Sequence, residues 1–142
     1  MPASVNDIDV SKQEIGHRTS EESAIVQACL AEASVEVETA RILHRYAICE
    51  LFDQAEQGQT PTNLERARYR RDKTFAAKLC AQAVNRLFEM SGGRAILESE
   101  SIQRSHRDVQ AASHHQGISW DAAAEDFGRQ ALDLPPGPGR YA

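Results

Sequence analysis

Residues 26–51 read "VQACLAEASVEVETARILHRYAICEL", and the spacing of their small and apolar positions decides the fold. Val26, Leu30, Ala33, Val37, Ala40, His44, Ala47 and Leu51 recur at alternating steps of four and three, which keeps one stripe of an α-helix turned toward a neighbour packed nearly parallel to it. Upstream, Thr19 and Glu22 have the capping-box spacing, with a hydroxyl to accept from the backbone and a carboxylate to reach back. Downstream, Gly58 supplies the left-handed conformation with which many helices end. The reading is one long bundle helix, on the order of 55 Å at about 1.5 Å per residue.

The same punctuation continues along the chain. In "TPTNLE", Thr60 or Thr62 can cap, Pro61 suits a first turn, and Glu65 completes a box with Thr62. A second helix then runs to about Ser91, with Phe75, Leu79, Ala83, Leu87 and Met90 on one face, and Gly92-Gly93 stops it. The short connection makes these two helices an antiparallel pair. A third helix is expected over about 99–115, broken by Gly117, and a fourth from Trp120 to about Leu132, capped by Ser119. Trp120, Ala123, Ala124, Phe127 and Ala131 share one side of it. Neither strand-like alternation nor an internal repeat is present. The expected fold is an all-α, up-down four-helix bundle over residues 19–132, with a flexible tail at 1–18 and an extended one at 133–142, where "LPPGPGRYA" cannot continue a helix.

Composition narrows the function classes. A chain of 142 residues is one domain of common size, and 41% hydrophobic with 26% charged residues is ordinary for a folded protein. A formal net charge of −5 argues against nucleic acid as a partner, since binding it needs an excess of Lys and Arg to displace counterions. No apolar run reaches the length of a membrane span, and the polar N-terminus lacks the layout of a signal peptide, so the cytoplasm is the expected location. Cys29, Cys49 and Cys80 lie in helical patterns without C-x-x-C spacing and are expected as buried free thiols.

The chemistry-bearing segment is "IQRSHRDVQAASHHQGISW", residues 102–120, which holds three of the five histidines. On a helix, Ile102, Val109 and Ser113, with His106 beside them, form a modest packing stripe. Arg104, Asp108, Ala111 and His115, spaced four, three and four, fall on the opposite side. That side reads either as a solvated face with an Arg104–Asp108 pair or as the polar wall of a pocket, in which His115 is available as acid or base. Adjacent His114 points about 100° away and is peripheral to any site that uses His115. There is no H-E-x-x-H, nor any His and carboxylate spacing suited to a bundle metal site, so no metal is expected. The basic run "ERARYRRDK" does not share one face and reads as solvated or subunit-facing, and His44 as a core or interface histidine.

Three stretches, "LAEASVEVETARILHRYA", "YRRDKTFAAKLCAQAVNRLFEMSGG" and "ESIQRSHRDVQAASHHQGISWDAAAEDFG", resemble in order and spacing the C-terminal helical domain of the acyl-CoA dehydrogenase superfamily. The resemblance covers about residues 20–132. The dehydrogenase branch carries a glutamate-glycine-threonine motif soon after R-D. "ASHHQGISW" stands here instead, which resembles the branch of flavin-dependent two-component monooxygenases, fed with reduced flavin by a separate reductase.

The resemblance implies that the histidine eight residues after Arg107, His115, lies near the reactive edge of the flavin. There it would assist the flavin's oxygen chemistry or take a proton from the substrate hydroxyl. It further implies that Arg104 and Asp108 position the helix on the flavin side and that Gly92 and Gly93 form a turn approaching the cofactor. Reduced flavin, FMN or FAD, is the expected cofactor of the intact enzyme, with none tightly bound by this chain alone. Flavin reductase and self-association as a homodimer or homotetramer are the expected partners. Such enzymes carry an N-terminal helical domain and a central β-domain ahead of the bundle, and this chain is expected to be a piece without them. Two other readings stay open: a non-catalytic helical oligomerisation module, and a flavoprotein of the dehydrogenase type.

Overall fold

The computed structural model describes residues 23–92, 101–135 and 137. Their order is α1 (Ala24–Glu56), α2 (Asn63–Met90), α3 (Ser101–Ser113), a 3-10 turn at Gln116–Ile118, and α4 (Trp120–Ala131). No strand occurs among the described residues, and the all-α expectation holds. The Thr19–Glu22 capping pair, Gly93 and the tail at 1–18 lie outside the described residues.

The junction between α1 and α2 follows the local chemistry. α1 ends at Glu56, and Gly58 takes φ +67°, a left-handed conformation that costs a glycine no Cβ clash. Thr62 then starts α2 with both halves of a capping box. The Glu65 N–H donates to Thr62 Oγ1 at 3.2 Å, and the Thr62 N–H donates to Glu65 Oε2 at 2.7 Å. The second of these bonds is the main reason that the Glu65 carboxyl lies below its usual pKa range.

α2 is the helix on which the others pack: α1, α3 and α4 each make their principal contacts with it. The buried positions are mostly alanine: Ala33, Ala40 and Ala47 on α1, Ala67, Ala76 and Ala83 on α2, and Ala123 on α4. Small side chains let helix backbones approach closely, so the core here is thin and set by close approach rather than by large apolar groups.

Of the expected α1 seam only Ala33, Ala40 and Ala47 are buried, with Val26 half-buried. Leu30, Val37, His44 and Leu51 are exposed, and the stripe turned to α2 instead combines Ala33, Ala40 and Ala47 with Cys29, Glu36, Leu43 and Glu50. The physical reason is the pairing of those glutamates. Arg86 of α2 donates to Glu36 at 2.9 Å and also bridges Glu32, while Arg68 of α2 holds Glu50. In the opposite sense, Gln54 Nε2 of α1 donates to Glu65 Oε1 of α2 at 3.0 Å. Partnered carboxylates can line a seam that hydropathy alone assigns to apolar residues. The face of α1 that α2 leaves uncovered carries Cys49, which is therefore exposed rather than buried; Cys29 and Cys80 are half-buried, and all three are free thiols.

α4 rests on α2 through rings. Phe75 and Trp120 pack with centroids 5.2 Å apart and planes tilted by 52°, and the Arg71 guanidinium lies 4.2 Å above the Phe127 ring. Arg71 also grips the buried Asp72, Nε to Oδ1 at 2.7 Å. Ser119 occupies the N-cap position of α4 without the expected side-chain cap. The helix start instead has Asp121 in its first turn, and Arg129 stands in the last, each matching the helix dipole.

Candidate functional site

α3 is short and none of its residues is fully buried, so its orientation depends on a few fixed contacts. Its inward stripe is the one read from the sequence: Ile102, His106, Val109 and Ser113 are all half-buried. His106 stacks on Phe88 of α2, centroids 4.2 Å apart and planes 21° from parallel, and Gln110 Nε2 donates to Asn85 Oδ1 of α2 at 2.6 Å. One ring contact and one amide pair thus hold α3 on α2.

The outward side also matches. Arg104 and Asp108 are exposed, with Arg104 Nε 3.7 Å from Asp108 Oδ2 and Arg107 Nε 3.7 Å from Asp108 Oδ1. Exposed pairs of this kind add little stability. His115 does not continue that face. α3 ends at Ser113, the His115 N–H turns back to the Ala112 carbonyl at 3.1 Å, and His115 itself is extended at φ −65°, ψ 135°. Among the described residues no hydrogen bond or ion pair joins His115 to Arg104 or Asp108.

His115 takes up a specific duty at this corner. Its Nδ1 accepts from the Gly117 backbone N–H at 3.1 Å, and its carbonyl accepts from the Ile118 N–H at 2.8 Å, so it caps the 3-10 turn while its ring stays exposed. Gly117 has a local reason to be glycine: a Cβ there would stand 3.2 Å from His115 Nδ1. His114 turns the other way and pairs through Nδ1 with the Gln110 carbonyl at 2.8 Å. Sequence reading found the histidine but missed its partner; a glycine two residues after a polar side chain was the available signal.

Gly92 follows α2 at φ +64°, and among the described residues nothing lies within 4 Å of where its Cβ would be. The backbone conformation calls for glycine. Among the described residues nothing joins Gly92 to His115: His106 faces Phe88 and Gln110 faces Asn85, so α3 runs antiparallel to α2, and Gly92 and His115 lie toward opposite ends of that contact. A groove of about 460 Å³ lies elsewhere, between α1 and α2, lined by Ala31, Glu32, Val35, Glu36 and Arg86. Among the described residues no group of three or more metal-ligating side chains occurs, and no helix is long and apolar enough to cross a membrane.

An all-helical unit packed on one central helix, with a histidine-capped turn between its last two helices, is the architecture of a helical bundle domain. The chain belongs to the family described as acyl-CoA dehydrogenase, C-terminal domain, whose model matches residues 3–120. It is 29% identical over 130 residues to the oxygenase component of an FADH(2)-dependent resorcinol hydroxylase from Rhizobium sp. (strain MTP-10005), covering 89% of this chain and 32% of that protein. It is 39% identical over 72 residues to the flavin-dependent monooxygenase oxygenase subunit HsaA of Mycobacterium tuberculosis, 51% of this chain and 18% of that one. The crystal structure of the HsaA monooxygenase from M. tuberculosis superposes with a TM-score of 0.76 at 28% identity, covering 81% of this chain and 30% of that chain. The relatives are oxygenase components of flavin-dependent monooxygenases, and this chain spans about a third of their length or less.

Proposed function

We propose that this chain serves as the C-terminal helical domain of a flavin-dependent oxygenase component that hydroxylates an aromatic substrate, contributing one edge of the flavin site and a self-association surface. The observation that carries the reading is His115, exposed and held by a backbone hydrogen bond at the position where the resemblance expects a histidine to meet the flavin. The match to oxygenase components supports it. Reduced flavin, FMN or FAD, supplies two electrons. One oxygen atom of dioxygen enters the ring as hydroxyl, and the other leaves as water. Gly92 offers backbone against the cofactor and His115 a hydrogen bond at the reacting edge. Arg104, Asp108 and Gly93 belong to this reading as groups near the cofactor, the first two acting from the exposed face of α3. A reductase acting in the cytoplasm is the source of the reduced flavin.

The oxygenase carrying this domain, supplied with reduced flavin by a reductase, should couple oxygen uptake to hydroxylation of a phenol. The FADH(2)-dependent resorcinol hydroxylase among the relatives makes resorcinol the first substrate to try. Failure of that oxygenase to bind reduced flavin would contradict the reading.

Self-association rests on α1. Its exposed side carries Ile25, Val35, Ile42 and Tyr46 within a second stripe of alternating steps, 25, 28, 32, 35, 39, 42, 46 and 49, and Ile25 and Val35 are 75% and 65% exposed. Such spacing is that of a helix-packing seam, and apart from Glu32, which Arg86 of α2 bridges, and Val35 at the edge of the groove, it lies away from the stripe that α2 buries. A second copy of this chain is the occupant. Light scattering at micromolar concentration should report a dimer or tetramer; a monomer there contradicts this part of the proposal.

A further inference from the structure

The two neighbouring histidines are held by backbone groups of opposite kind, and this settles where each neutral ring keeps its proton. A backbone N–H can only donate and a backbone carbonyl can only accept. His115 Nδ1 faces the Gly117 N–H at 3.1 Å, so that nitrogen must present its lone pair. His114 Nδ1 faces the Gln110 carbonyl at 2.8 Å, so that nitrogen must carry its hydrogen. Neutral His115 is then the Nε2–H form and neutral His114 the Nδ1–H form. The hydrogen bond made by one ring nitrogen dictates the state of the other, which here is the exposed one.

We propose that the Gly117 backbone N–H is a positioning group that fixes neutral His115 as its Nε2–H tautomer, so that the site presents a hydrogen-bond donor and no basic nitrogen to whatever binds there. The glycine is part of the device, because a Cβ at position 117 would press within 3.2 Å of Nδ1. Ile118 completes it: its N–H donates to the His115 carbonyl at 2.8 Å and anchors the backbone from which the ring projects. The ligand chemistry that fits is an oxygen acceptor carrying negative charge or developing it, since an N–H aimed at such an oxygen stabilises the charge as it forms. The alternative duty, removing a proton from a substrate hydroxyl, needs a free lone pair on the outer nitrogen, and this tautomer has none there. The functional half of the proposal rests on the flavin-oxygenase reading. The tautomer itself does not.

Imidazole 15N NMR of the full chain, without flavin, tests it at about pH 8, above the ordinary histidine pKa of about 6.5. The expected spectrum has His115 as a single tautomer, protonated at Nε2, with Nδ1 coupled to the Gly117 N–H, and His114 as the opposite tautomer. Gly117→Pro removes the donor and should shift His115 toward the mixture seen in the urea-unfolded chain while His114 keeps its form. A proton on Nδ1 of folded His115 would overturn the proposal, as would the same tautomer mixture in the folded and unfolded chains. If Gly117→Pro does not fold, the wild-type spectrum decides alone. Failure of the oxygenase reading would appear as absent binding of reduced flavin by the assembled oxygenase with this spectrum intact, so the two failures are distinguishable.

Discussion

His115→Ala, made in the oxygenase that carries this domain, is expected to lower hydroxylation about 10²–10³-fold, the usual effect of losing one donor aimed at developing charge. Release of hydrogen peroxide should rise, because oxygen still reacts with the reduced cofactor while transfer to substrate fails. Flavin binding should change little, since a single exposed ring contributes a small part of any enclosing surface. His114→Ala should have a far smaller effect, because its Nδ1 is committed to the Gln110 carbonyl of its own helix. Measured together, hydroxylated product and peroxide separate a chemical role from a packing one: a histidine that only caps the turn would lose thermal stability without altering the ratio of product to peroxide.

The second large effect concerns the thin core. Ala40 is 4% exposed in the middle of the α1 seam, and Ala83 of α2 is 1% exposed. Ala40→Leu forces extra methylenes into a helix–helix contact set by small side chains, and overpacking of this kind typically costs about 1–3 kcal/mol. For a domain of this size the midpoint of thermal unfolding should fall by several degrees, on the order of 4 °C for each kcal/mol lost. An unchanged midpoint would place the α1–α2 contact elsewhere on α1. The substitution tests the seam itself and not its rotation, because the register read from the sequence and the observed one share Ala33, Ala40 and Ala47 and differ only in what flanks them.

Those flanks mark how far the sequence could be read. The helices, their order and most of their ends were legible because Thr62, Glu65, Gly58 and Gly92 carry chemistry that acts locally, within one turn of the chain. The inward face of α3 was legible for a similar reason: Ile102, His106, Val109 and Ser113 sit at helical spacing. The companions of the alanine seam on α1 were not. Glu36 and Glu50 look solvated to any hydropathy-based reading, and only the arrival of Arg86 and Arg68 from another helix makes them seam residues. The outward face of α3 failed at its end for the same kind of reason. Spacing alone carried the helix to His115, whereas the backbone leaves it at Ser113 and gives the histidine a cap to form at the 3-10 turn. The exposed apolar stripe at 25–49 of α1 emerged only once α2 had claimed its own side.

The central claim is that His115 works as a donor from its outer nitrogen, and two replacements read together test it most directly. Asparagine places an acceptor where Nδ1 was and so keeps the cap, but its amide stops short of the Nε2 position. Glutamine reaches that position with an N–H and caps poorly. In the reductase-coupled assay of the assembled oxygenase, hydroxylated product per oxygen consumed should be higher for His115→Gln than for His115→Asn, even though the asparagine variant unfolds at the higher temperature. Equal loss in both variants, with thermal stability ranked as expected, would contradict the donor assignment.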